Sequence, residues 1–380
     1  MRKEINSLRL FCVKASLDKT VMAKIISIGT AVPPFVATQD DAKAFAMNLY
    51  GEAYKGNLDK LVSIFENTLI KKRHFCVPVE WFASEKSFEE KNSLYLENAL
   101  KLSEQAIDDC LQKAQVSLSE IDYLMFVSTT GLATPTIDAR LIDKLPFRKT
   151  VRRLPLWGLG CAGGASSLAW ANIITGADPN ANILIVVTEL CGLTFVRSDR
   201  SKAAFISSAL FADGSAAVLV QGNRTKLANE YATPTILRSQ TSTMPHSLDV
   251  MGWRFNERGF NVVLSQNVPD IVQNFLKEET FKFLQKNNLN RKSIRHFITH
   301  PGGAKVLEAY KTAFELSDEQ LHFAYKILSE YGNMSAVTVL FILKEFMKKL
   351  STTTTNELGL LAALGPGFSA ELLLLEWGRV

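Results

Sequence analysis

Three short segments carry residues able to do covalent chemistry. "LWGLGCAGGASSLAWA", residues 156–171, sets Cys161 between an apolar run and a helix-forming stretch, Ala165 to Ile174. "FITHPGG" puts His300 at the end of another apolar run, and "SEYGNMSA" puts Asn333 in a glycine turn just before a helical stretch from Ser335. A cysteine at a strand–turn–helix junction lies beside the free amides of the helix start, which favour negative charge. There the thiolate, not the thiol, is the reactive species. Such a nucleophile needs a proton acceptor or cation, and an attacked carbonyl needs donors for its developing charge; His300 and Asn333 have those properties. Each residue alone has a plainer reading. Free cysteine is most often a small buried hydrophobe, a histidine at a strand end a satisfied structural residue, and asparagine after glycine a turn or cap. All three fall in small-residue turns next to apolar runs, which favours one assembled site.

The elements that hold these turns alternate between strand and helix, an α/β pattern. "KIISIGTAVP", "IDYLMFVSTT", "LPLWGLG", "NILIVVTEL" and "SAAVLVQ" read as strands, and their near-continuous apolar character predicts cover on both faces. Residues 40–69 read as helices and "SLYLENALKLSEQAIDDCLQKA" as one amphipathic helix. From about residue 231 the order repeats. "IRHFITHPGG" echoes "IDYLMFVSTTG", "GNMSAVTVLFILKEF" echoes the helix after Cys161, and "LAALGPGFSAELLLLEW" echoes "ALFADGSAAVLV". The echoes predict two similar halves, 22–230 and 231–380, with a site between them, after an N-terminal extension over 1–21.

Bulk properties narrow the class. With 380 residues, 47% of them hydrophobic, the chain can bury a large core. A net charge of +5, from 43 Lys and Arg against 38 Asp and Glu, is spread without a long basic tract, so nucleic-acid binding is not expected. No apolar run reaches the roughly 18 residues of a membrane span. Five dispersed cysteines and five histidines show no metal-ligand spacing, which predicts a reducing cytoplasm and no metal. Cys, His and Asn in that order also occur in papain-like proteases. That group expects disulfides, secretion and a nucleophile near the mature N-terminus, whereas Cys161 is mid-chain and "LFCV" is too short for a secretory apolar region.

From about Met22 to Trp377 the sequence resembles the type III polyketide synthases, the chalcone-synthase-like branch of the thiolase fold. The resemblance rests on "GCAGG" around Cys161, "ALFADG" at 209–214, "HPGG" at His300, "SEYGNMSA" around Asn333 and "GPGFSAELLLLEW" near the end. Initiating ketoacyl synthases, which use acyl carrier protein, share Cys, His and Asn, but they resemble "ACSGF" and "HQAN" there and lack the "GPG" loop.

The resemblance implies a homodimer with a five-layered αβαβα core, and an acyl-CoA starter loaded on Cys161 and extended with malonyl-CoA; CoA thioesters are substrates and no resident cofactor is expected. It implies a thiolate–imidazolium pair of Cys161 and His300, with donors from His300 and Asn333. Phe211 matches a gatekeeping phenylalanine, and Val262 stands where the family has a second one, which implies a wider entrance. Ser335 and Thr194 match cavity residues. Trp253, Cys191 and Leu193 replace smaller or different residues, so the aromatic plant cavity is not preserved. "STTGLATPTIDARLI" is similar to bacterial alkylpyrone and alkylresorcinol synthases with fatty acyl starters. The loop holding Thr134 is implied to reach the neighbouring subunit's cavity. Of three basic residues that hold CoA phosphates in the plant enzymes only Lys60 matches, with Ser63 and Asn67 at the other two positions. Lys71, Lys72 and Arg73 are candidate replacements; alternatively an acyl carrier protein, presenting one phosphate, delivers the starter. A product made from malonyl-CoA alone, a naphthalene polyol, is the competing outcome.

Overall fold

Along the first half, apolar residues alternate between two cores with the period of two that a strand imposes. Met125, Val127, Ile183, Ile185 and Val187 face one core, while Leu124, Phe126, Leu184 and Val186 face another. The second half repeats this. Leu361, Ala363, Leu373 and Leu375 join the first core, and Leu360, Ala362, Leu372 and Leu374 form a third. The shared core therefore lies between two sheets, with a further apolar layer outside each.

The computed structural model describes residues 22–51, 58–225, 233–352 and 356–378, and only the backbone of 58–61. The extension 1–21, the boundary at 230/231 and the side chain of Lys60 lie outside the described residues. In the first half, β1 (Ala23–Ala31), β2 (Tyr123–Ser128), β3 (Arg152–Trp157), β4 (Asn182–Leu190) and β5 (Asp213–Gly222) lie in the order β3-β2-β4-β5-β1. In the second, β6 (Thr235–Thr243), β7 (His296–Thr299), β8 (Glu357–Gly365) and β9 (Ser369–Trp377) lie in the order β7-β8-β9-β6. Without β3, the orders and directions coincide: β2 and β4 run parallel, as do β7 and β8, and the other neighbours are antiparallel. The half-sheets join where Ala23 and Lys24 of β1 meet Ile236 and Thr235 of β6.

Between the sheets lie two central helices, α2 (Gly163–Ala177) and α5 (Thr338–Leu350). Outside the first sheet packs α1 (Phe88–Ala114), with Ser87 accepting from the Glu90 amide at its start and Lys113 in its last turn. Outside the second pack Lys277–Lys286 and α4 (Ala304–Phe314). This is the five-layered thiolase fold. Among the described residues no helix is long and apolar enough to cross a membrane.

One strand departs from expectation. β3 is the sheet edge; its side chains are half-buried or exposed, and Trp157 is 48% exposed. Leu154 and Leu156 still pack against the shared core, whereas Pro155 and Trp157 on the other face are exposed, so only one face of this strand is covered.

Candidate active site

Cys161 sits in a short 3-10 turn, Gly160–Ala162, that runs directly into α2. Gly160 is there for two reasons. Its φ of +48° disfavours a side chain, and a Cβ would lie 2.7 Å from Cδ of Pro366 in the "GPGF" loop. The following glycines serve the contact between the two central helices. A Cβ at Gly164 would stand 2.3 Å from the carbonyl oxygen of Ala336, so these small residues let the starts of α2 and α5 touch.

His300 follows β7 directly, its amide donating to Ala362 O at 2.9 Å in β8. Asn333 is pinned to the segment ending α3 (Lys202–Leu210): its amide donates to Leu210 O, and its carbonyl accepts from the Ala212 amide, each at 2.9 Å. Its Oδ1 accepts from the Ser335 amide at 2.8 Å, which fixes the side-chain flip and leaves Nδ2 donating to Gly302 O at 3.2 Å. Cys161, His300 and Asn333, all buried, line one cavity of about 650 Å³ together with Ser335, Phe211, Trp253 and Val262.

Burial governs the charges at this end. Desolvation pushes the Cys161 thiol up to about 12, against a lowering hydrogen bond from Ser335, and Glu189 raises it further. Desolvation pulls His300 down to about 4, and neither ring nitrogen has a hydrogen-bond partner among the described residues. Burial therefore opposes charge on both the thiol and the imidazole, the two charges of the implied ion pair.

Glu189 escaped sequence reasoning. At the end of β4 it accepts from the Thr129 amide and the Thr130 hydroxyl, each at 2.9 Å, and from Ser335 Oγ at 3.4 Å. Burial pushes its carboxyl up to about 7. The signal was present as one acid in the apolar run "NILIVVTEL".

A second, smaller pocket of about 90 Å³ adjoins the first, and Phe211, Trp253 and Val262 line both. Thr194 and Cys191 line it with Phe45, Phe75, Phe82 and Phe195. Trp253 Nε1 donates to Thr129 O at 3.0 Å, tying the hairpin of Met251–Asn256 and Gly259–Leu264 to the end of β2. Leu193 is not a lining residue; it is buried in the core beneath α1. Thr134 is exposed on the loop after β2 and lines neither cavity within the protomer.

Arg73 is not available to a ligand's phosphate. It is buried, with Nη1 donating to Ser208 O at 2.7 Å and Phe211 O at 2.9 Å, and burial lowers its pKa to about 10. It holds the backbone of Phe211 instead. Lys71 and Lys72 are exposed and line neither cavity.

Comparison with known proteins gives this geometry its context. Residues 13–224 match the N-terminal domain of chalcone and stilbene synthases, and residues 235–377 match their C-terminal domain. A protein of Bacillus subtilis (strain 168) that bears a chalcone synthase name is 42% identical over 365 residues, 94% of this chain and 100% of that protein. The 1,3,6,8-tetrahydroxynaphthalene synthase of Streptomyces peucetius subsp. caesius is 33% identical, over 93% of each chain. Among solved structures, the 1,3,6,8-tetrahydroxynaphthalene synthase of Streptomyces coelicolor A3(2), a bacterial type III polyketide synthase, superposes with a TM-score of 0.86 at 27% identity, covering 94% of this chain and 100% of that one. The C-terminal type III polyketide synthase domain of Steely1 from Dictyostelium gives the same score at 25% identity, again over 94% and 100%. The chain belongs to the chalcone and stilbene synthase family, the type III polyketide synthases, condensing enzymes that transfer acyl groups.

Proposed function

We propose that the protein loads a medium- or long-chain fatty acyl group from acyl-CoA onto Cys161, extends it with malonyl-CoA, and releases alkylpyrones or alkylresorcinols. The observation that carries this reading is the apolar pocket opening off the cavity that holds Cys161, His300 and Asn333, walled by phenylalanines where an alkyl chain can shed water. In this reading Cys161 Sγ attacks the thioester carbonyl and its proton passes to His300. Donors from Asn333 Nδ2 and the protonated imidazole hold the oxyanion, and CoA leaves with the proton from His300. Malonyl-CoA then loses CO2. Asn333 Nδ2 and the N–H of the now neutral His300 hold the enolate, which attacks the acyl–Cys161 carbonyl and expels Cys161 as a thiolate, lengthening the chain by two carbons. Phe211, Trp253 and Val262 separate the arm-binding cavity from the pocket, while Thr194 and Cys191 bound the starter. The substrates bring all the chemistry, so no resident cofactor or metal is involved, and the enzyme works in the cytoplasm beside its CoA thioesters.

The active form is proposed to be a homodimer. The edge strand β3 and the exposed apolar side chains Leu132, Trp157, Trp170 and Ile173 support it. That arrangement lets the exposed loop of Thr134 reach a neighbour's cavity.

A second reading is favoured by a specific finding. The relative at 33% identity is a 1,3,6,8-tetrahydroxynaphthalene synthase, which points to malonyl-CoA serving as both starter and extender. Product mass spectrometry with isotopic malonyl-CoA, with and without acyl-CoA starters from acetyl to stearoyl, separates the two. Masses that track the starter are expected; one product independent of any starter would establish the second reading.

A further inference from the structure

We propose that Lys202 and Lys305 form a phosphate-holding rim at the open end of the 650 Å³ cavity, gripping the phosphates beyond a pantetheine arm whose thioester reaches Cys161. This deepens the proposed function and rests on it. The cavity is graded along its length. Among its lining residues Cys161, His300 and Asn333 are buried, whereas Lys202 and Lys305 are exposed, and the lining also includes the polar Ser63, Asn67, Ser265 and Gln266. The lining residues include two lysines and no carboxylate. A polar mouth of one charge sign, leading to an uncharged interior, suits a ligand with anionic groups at one end and a thioester at the other.

The lysines are also uncommitted to acids. Lys202 Nζ donates to the neutral Gln266 Oε1 at 2.8 Å, and neither lysine makes an ion pair among the described residues. Lys311, further along the helix that begins beside Lys305, is by contrast paired with Asp318 at 2.7 Å. The rim lies on walls different from the helix Leu58–Glu66, where Ser63 stands at one position that is basic in the plant enzymes, with Asn67 at the other just beyond it. Lys202 opens α3 and Lys305 lies in the first turn of α4, so the charge absent from one wall is supplied by two others. Lysine serves phosphate as a movable point charge.

The shared chemistry is a phosphate at the end of pantetheine, whether it belongs to CoA or to a carrier protein's arm. The test measures acylation of the protein by intact-mass spectrometry at subsaturating decanoyl-CoA, S-decanoyl-4′-phosphopantetheine and S-decanoyl-pantetheine, for the wild type, Lys202→Ala, Lys305→Ala and the double variant. The preference for decanoyl-CoA over decanoyl-pantetheine is expected to fall about tenfold for each lysine removed. Because this is a ratio within one protein sample, partial misfolding does not imitate it. If preference for the phosphopantetheine donor falls equally, one phosphate is held and a carrier arm suffices; if only the CoA preference falls, the nucleotide phosphates are held. An unchanged ratio overturns the rim. Should the wild type accept no acyl group from any donor, the proposed function fails separately. Calorimetric titration of free CoA and pantetheine into wild type and double variant then still reads the lysines, and equal CoA affinities overturn them.

Discussion

The two halves share a strand order, yet at matching places they hold different chemistry. β2 ends at Ser128 and is followed by Thr129; β7 ends at Thr299 and is followed by His300, and both following residues line the cavity. Each central helix is entered through a 3-10 turn whose first residue has positive φ, Gly160 at +48° and Ser335 at +49°. The next residue is Cys161 in one half and Ala336 in the other. The first half thus contributes the sulfur and the buried Glu189, and the second contributes the imidazole and the amide. A duplicated fold places two equivalent turns face to face, and divergence of a few side chains turns their contact into a site.

The largest test of this division is Cys161→Ala, which makes the first turn chemically like the second. Loss of acyl-enzyme is expected to be complete by intact-mass spectrometry, with product formation down by at least about a thousandfold. Elongated product at the wild-type rate would remove Cys161 from the role proposed for it. Next in size are His300→Ala and Asn333→Ala, which strip the second half's donors. Each is expected to lower kcat by roughly 10²- to 10³-fold, the scale for one oxyanion donor, with the double variant falling less than the product of the two because they serve one charge. Full additivity would mean that they act at separate steps.

β2 and β4 read as strands because both faces are covered and almost every position is apolar. β3 read the same way but is an edge, and a sequence does not state how many neighbours a strand has. The site's three turns were legible because each couples a reactive side chain to a break between apolar elements. What lay beyond was tertiary. The basic cluster "KKRH" contains one residue, Arg73, turned inward to bind two carbonyls, and Leu193 sits one position before a pocket residue but faces the core. The small residues after Cys161 were legible as small, but their cause, the touching helices, needed both halves at once.

That contact gives the next prediction, smaller because it concerns stability alone. Gly164→Ala puts a methyl group 2.3 Å from a backbone carbonyl of the opposite helix, so the helix starts must part, at a cost of about 1–3 kcal/mol. Gly176→Ala, near the other end of α2 with nothing within 4 Å of its new Cβ, is expected to gain about 0.5–1 kcal/mol. Chemical denaturation of the two variants, one α2 glycine against another, measures the halves' packing against simple helix propensity. Outcomes of opposite sign at these two positions sharpen the comparison, and a stable Gly164→Ala would break it.

The smallest effect distinguishes the charge states of the two halves, and it is cleanest with the sulfur absent. In Cys161→Ala, His300 has no thiolate to hold a proton, so the burial that takes its pKa from 6.5 to about 4 acts alone. Between those values the unfolded chain binds more protons than the native one, so the contribution of His300 is fully present above about 6.5 and drains away as pH falls towards 4. Glu189 has the opposite sign. Its carboxyl rises from 4.5 to about 7, so its contribution is present below 4.5 and is lost as pH climbs through 7. Urea midpoints of Cys161→Ala should therefore drop on acidification by less than His300 alone dictates. Adding Glu189→Gln should steepen that drop, and adding His300→Gln should flatten or reverse it. Wild type compared with Cys161→Ala then reports the sulfur: a shallower acid slope in wild type means a thiolate shares the proton of His300, and identical slopes mean that the resting pair is neutral, as burial dictates.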